Sequence, residues 1–376
     1  MSSTRRSREP TQKITPPSSF ADLPLTPPPT DEKLFAQALR VIALFDEIRA
    51  GKHSNRDPWT EFSLVPGEFD RVQRLLDQDE ELRKFVEDKI RYDYDAEKHR
   101  LVVRMPTAVH EVFIARVEDA VFSQLKLFRE GSDDAAAFAQ KVNPARSTEI
   151  YFPVDNASPR KESKHEPDAS FWHDKAHYPG VIIEVAYSQK KKRLSRLAED
   201  YLLDSDANVR AVVGLDIEYG KKGSRKATLS VWRTRVFHTP AGDELRVFQE
   251  IADETFRDHD GKPTDHQGMR LRLSDFAHKG LVRDEIGSQD KDLTVSAQQL
   301  CSFLSAAEVR ADRRGSLSKD PIAPGIKKRK RSETPEDRIA SGDEAWYVEQ
   351  EERTAKRIAG DDPDYEDRSR MKSSSE

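Results

Sequence analysis

Pro167 to Gln189 reads PDASFWHDKAHYPGVIIEVAYSQ, and two acids within it decide how the rest of the chain is understood. Asp168 follows a proline at the head of a short β-prone run, ASFWH. Glu184 lies inside VIIEV, bounded by Pro179-Gly180 and by the polar exit Ser188-Gln189, so its segment reads as a buried strand. An ionised carboxylate in such a strand costs several kcal/mol unless it is paired, hydrogen-bonded or bound to a metal. Glu184 is therefore expected in an ion pair or among metal ligands.

On the N-terminal side, TEIYF reads as a further strand, and YDYDAEKHRLVVRM as a strand, a turn and a strand. These lead into a long helix from Thr107 whose Val109, Phe113, Val117, Ala120 and Val121 share one face. On the C-terminal side a helix from about Lys190 carries Leu194, Leu197, Ala198, Tyr201 and Leu202 at core-facing spacing. After it VRAVVGLDIEY, GKKGSRK and ATLSVWRTRVF form strand, turn and strand, and a helix over Ser296 to Asp312 closes the fold. Helices come first: one from Asp31 with Leu34, Leu39, Ile42, Phe45 and Ile48 at helical spacing, then PGEFDRVQRLLDQ and EELRKFVEDKI.

The expected class is α/β or α+β, a mixed central sheet flanked by helices. Residues 1–30 read as a Pro-rich disordered arm, 31–90 as a helical extension, 91–314 as the main domain and 315–376 as a disordered charged tail with a transient helix near Glu344 to Ile358. In 376 residues, 35% charged against 36% hydrophobic with mean hydropathy −0.81 argues for long solvated segments around one core. One cysteine, Cys301, excludes an intrachain disulfide framework and suits a reducing compartment. No signal-like N-terminus and no membrane-length apolar run is seen, so a soluble intracellular protein is expected. A net charge of −5 and a pI near 6.1 argue against general nucleic-acid affinity but leave room for a local basic patch.

The order helix, strand, strand with Asp, strand with Glu, helix, strand resembles the PD-(D/E)xK, restriction-endonuclease-like superfamily. The resemblance rests on Pro167-Asp168, Glu184-Val185-Ala186, the helix start RMPTAVHE and the helix LSRLAEDYL, and it covers roughly residues 90 to 240. The pattern looks like a fungal branch, similar to bacterial members whose helix also begins with Met-Pro and His-Glu. It implies Mg²⁺ or Mn²⁺ held by Asp168 and Glu184, helped by Glu111 from the first core helix. Phosphodiester hydrolysis makes the same demand, since it needs hard oxygen ligands with positions left for water and phosphate. One departure matters: the superfamily's lysine two residues after the strand glutamate is here Ala186. Some members carry the cation on the next helix, so Lys191 or Lys190 is the candidate to stabilise charge on the phosphate. Lys190, Lys192, Arg193 and Arg196 form a candidate nucleic-acid patch or a solvated face.

Gln189 reads as a polar group at the strand exit, in or out of the site. His110 either caps its helix or joins the site, and Tyr201 belongs to the core stripe. His173 and His177 lack the further ligands a zinc site needs. Lys327-Lys328-Arg329-Lys330-Arg331 reads as a nuclear-localisation cluster for an import receptor, with nucleic acid as the alternative partner. Thr15, Thr26 and Thr334 each precede proline and are candidate phosphorylation sites. Three function classes follow: a nuclear metal-dependent nuclease, a nucleic-acid or protein interaction module of the same fold with its strand lysine lost, and a delivered effector.

Overall fold

The computed structural model describes residues 35–53, 59–154, 161–187, 191–218 and 223–315, with 349, 350 and 353 in the tail. The chain divides after Leu317 into two units. The described part of the first is a mixed α+β structure of eight α-helices and three sheets.

Three helices precede the central sheet: α1 (Ala36–Arg49), α2 (Glu68–Gln78) and α3 (Glu80–Lys89). The residue before α1, Phe35, provides no side-chain cap. Buried Glu68 supplies one from a distance, its carboxylate accepting from the backbone N–H groups of Gln37 at 2.8 Å and Val65 at 2.8 Å. The inward face of α1 is Ala38, Val41, Leu44 and Phe45, while Leu39 is exposed. The expected stripe is thus rotated: small Ala38 allows close helix approach, and Ile42 and Ile48 lie half-buried at the rim of the core. These helices cover an antiparallel sheet of order β1-β3-β2-β6-β5, built from Trp59–Ser63, Arg100–Arg104, Arg91–Asp95, Glu162–His165 and Ile150–Pro153. The segment 31–90, read as a helical extension, also contains β1, which pairs with β3 and ties the helices to a sheet.

The second sheet has the order β11-β10-β9-β8-β7-β4. Its strands are β4 (Val142–Pro144), β7 (Ala169–His173), β8 (Val181–Tyr187), β9 (Ala211–Ile217), β10 (Ala227–Thr239) and β11 (Gly242–Arg257). Only β8 and β9 run parallel, joined by the crossover helix α6 (Lys191–Asp204). Val181, Ile183 and Val185 enter the core built by α4 (Ala108–Arg129), α5 (Asp134–Gln140) and α8 (Ala297–Gly315), with α7 (Lys279–Glu285) at its edge. Ile182 on the opposite face packs with Leu194, Ala198, Tyr201 and Leu202 of α6 and with Ile150 and Phe152 of the first sheet. Glu184 shares that second face, so it points toward the seam between the two sheets. A two-stranded sheet, β12 (Met269–Arg272) with β13 (Asp292–Val295), completes the structure.

No helix among the described residues is long and apolar enough to cross a membrane. In the tail, Glu349, Gln350 and Arg353 are helical and exposed. The N-terminal arm with Thr15 and Thr26, the basic cluster 327–331 and Thr334 lie outside the described residues, as do Ser188, Gln189 and Lys190.

Candidate functional site

The ladder of β7 on β8 ends with Ala169 opposite Ile183, and Asp168, just before β7, accepts from the Val185 N–H at 2.8 Å, which brings its carboxylate beside Glu184. Between them lies a guanidinium. Arg104, at the end of β3 in the first sheet, donates from Nη1 to Glu184 Oε2 at 2.9 Å, with Asp168 Oδ1 at 3.7 Å from the same nitrogen. Its Nη2 donates to Asp93 Oδ1 on β2 at 2.8 Å and to the backbone carbonyl of Glu166. Arg104, Asp93, Asp168 and Glu184 are all buried, at most 7% exposed.

Neighbouring elements complete the shell. His110 Nε2 lies 2.9 Å from Asp168 Oδ2, and the backbone N–H of Val185 donates to that oxygen at 2.8 Å. Thr107 caps α4 by accepting from the His110 N–H at 3.3 Å, which fixes the first turn that carries the imidazole. Glu111 lies 3.7 Å from His110 Nδ1 and 3.3 Å from Arg91 Nη1, and Arg91 is 3.8 Å from Asp168. From α6, the Tyr201 hydroxyl donates to Glu184 Oε1 at 2.7 Å. Trp59 of β1 lies under both Arg104, 5.9 Å from the ring centroid, and Arg193, at 5.0 Å.

The charges account for the titration of each group. Burial disfavours the His110 cation, but Asp168 and Glu111 outweigh it and push the imidazole up to about 9. Burial works against the Asp168 carboxylate too, yet His110, Arg104 and the Val185 N–H hold it well below the usual range. Glu184 goes the other way: burial first, then the charges of Asp168 and Asp93, push it upward against the pull of Arg104. Arg91, Arg104 and protonated His110 face Asp93, Glu111, Asp168 and Glu184, so neutralising one acid balances the cluster. Glu184 is the acid driven in that direction. A cavity of about 30 Å³ adjoins the cluster, lined by Asp93, Asp95, Arg100, His165, Arg193 and Asp200 among others, and it has room for about one water molecule. Burial lowers His165, whose ring nitrogens have no hydrogen-bond partner among the described residues.

No protein-family model matches the chain, and no curated protein matches it.

Asp168 and Glu184 are thus brought together, with Glu111 one residue removed through His110. Among the described residues no group of three or more His, Cys, Asp or Glu side chains is placed to hold a metal ion. The position shared by the two acids is filled by Arg104, so in this arrangement they do not fit a divalent ion. The backbone of Lys191 and Lys192 begins α6, and their side chains lie outside the described ones. Arg193, half-buried, pairs with exposed Glu61 at 3.1 Å, and Arg196 is exposed beside the small cavity. His173 is buried against Phe138 while His177 packs on Tyr178, so the two do not converge. Sequence reasoning missed Arg104, Asp93 and Arg91. The signal was present: Arg104 ends the apolar run LVV, as Glu184 interrupts VIIEV, and a buried acid invites a search for a basic residue in another strand.

Proposed function

We propose that this chain is a non-hydrolytic binding protein built on a restriction-endonuclease-like core, whose acidic pair fastens the N-terminal sheet instead of holding a catalytic metal. The observation that carries this reading is the position of Arg104. A guanidinium from one sheet sits between the Asp and Glu of the other, and all of them are withdrawn from solvent. A phosphodiester bond needs an open approach to its metal; here that approach is covered by β2 and β3. The partner proposed is nucleic acid, held electrostatically by the basic start of α6 and by the basic cluster at 327–331. The protein is proposed to act in the nucleus.

The experiment combines calorimetric titration of the full chain with Mg²⁺ and Mn²⁺, nicking assays on duplex and single-stranded DNA and RNA, and binding measured against salt. Expected are no metal uptake, no cleavage, and affinity that falls as salt rises. The opposed reading, metal-dependent cleavage, draws support from the placement of Asp168 beside Glu184. Metal-dependent nicking lost in Glu184→Gln would establish it and overturn ours. Absence of binding to every nucleic acid would leave the interaction partner to be a protein.

A further inference from the structure

β11 is the edge of the larger sheet, and its partner β10 is covered by β9 only over Ala227–Trp232. Beyond that point the two strands continue as a two-stranded ribbon, packed through Val247 on the α6 cluster but joined by no third strand, with a regular register from Trp232 opposite Gln249 to Thr239 opposite Gly242. Among the described residues no backbone hydrogen bond leaves the outer edge of this stretch. An antiparallel strand directs about half of its N–H and C=O groups to each side, so the edge offers a row of unpaired groups.

Protected edges carry proline or lysine, or charges that repel a copy of themselves. The stretch from Asp243 to Gln249, DELRVFQ, has no proline or lysine, and when it is reversed about Leu245 two of its three charges, Glu244 and Arg246, which pair with each other within the chain, meet their opposites, while Asp243, held by His238, falls against Val247. With a two-fold axis at Leu245, antiparallel self-pairing sets Glu244 against Arg246 of the second copy, and Arg246 against Glu244, on one face. On the other face it brings Leu245 against Leu245. Val236 lies opposite Leu245 within the chain, and both are exposed, at 46% and 38%. Pairing makes Val236, Leu245, Leu245 and Val236 one apolar row across four strands. The lengths also agree. In this register Ala241 in the turn of the second copy comes level with Gln249, the last regular residue before the slip at Glu250.

We infer that β11 is a self-association edge, and that two copies of the chain join their ribbons antiparallel about Leu245 in an isologous contact. The inference does not depend on the binding function proposed above. Sedimentation equilibrium of the full chain is expected to show a concentration-dependent dimer. Leu245→Lys, a change at an exposed position that sets like charges on the axis, weakens it at least about tenfold. Glu244→Arg and Arg246→Glu each weaken it, and the two together restore it. Leu245→Cys is expected to cross-link to itself under mild oxidation faster than Val236→Cys, while native Cys301 is buried. A wild-type chain monomeric at all concentrations, or a dimer indifferent to these changes, overturns the inference.

Discussion

Arg104 is the residue on which the two sheets most depend, and removing its charge is predicted to cost far more than removing its volume. Arg104→Met keeps most of the side-chain length but leaves Asp93, Asp168 and Glu184 buried without their shared cation. Breaking a buried ion pair from one side costs about 3–5 kcal/mol. Urea denaturation is expected to show a loss of that size, and a loss under about 1 kcal/mol would mean that the guanidinium does not hold the sheets together. The pH dependence follows from the same cluster. His110 is raised from 6.5 to about 9, so its contribution is complete below 6.5 and is lost as pH climbs through about 9. Glu184, raised above its usual 4.5, loses its contribution in the same direction, whereas Asp168, depressed below 3.8, loses its own only in acid. Stability is therefore expected to fall by on the order of 2–3 kcal/mol between about pH 6.5 and 9.5. His110→Gln should flatten that slope; an unchanged slope would remove His110 as its source. The two acids were legible in the sequence because each interrupts or heads an apolar run. Their partner was not, because Arg104 ends a strand beside Met105-Pro106, where a charge is an ordinary strand exit.

At the scale of elements, close approach decides which glycines are replaceable. Gly180 precedes β8, and a Cβ there would fall 2.1 Å from the backbone carbonyl carbon of Phe276 in the 3₁₀ turn Leu273–Phe276. Gly214 lies beside Glu184 on β9, and its Cβ would meet the Trp232 ring at 2.6 Å. A ring rotates more readily than a packed backbone shifts. Gly180→Ala is thus predicted to cost about 3 kcal/mol and Gly214→Ala nearer 1 kcal/mol, within the usual range for overpacking. Thermal unfolding of the two variants checks the order, and equal losses would show that Trp232 is as fixed as the backbone. The main elements around the site were readable: the helices Ala108–Arg129 and Lys191–Asp204 from their apolar spacing, and the strands around Glu184 and Val212 from continuous apolar runs. The long β11 was not, because DELRVFQEIADE alternates too weakly and exposes both faces. The short strands β4, β6, β12 and β13 were missed for a related reason: at four residues or fewer, and without the apolar-aromatic run that marks IYF in the equally short β5, they carry no period of their own.

For the whole molecule, the two units make separable demands on the chain. The buried cluster belongs to the first unit, while Lys327 to Arg331 fall in the second, where the sequence is almost free of apolar residues. A segment of that composition adds little to a cooperative core. Replacing all five basic residues with alanine is predicted to shift the protein from nucleus to cytoplasm and to leave its melting temperature unchanged. Arg104→Met should do the reverse, lowering the melting temperature while the folded fraction still enters the nucleus. Imaging of tagged chains together with thermal melts of the purified proteins tests both arms. If the alanine variant remains nuclear, the cluster serves nucleic acid instead of an import receptor. Its loss should then lower the salt dependence of binding by about 0.9 for each phosphate contact removed on duplex DNA.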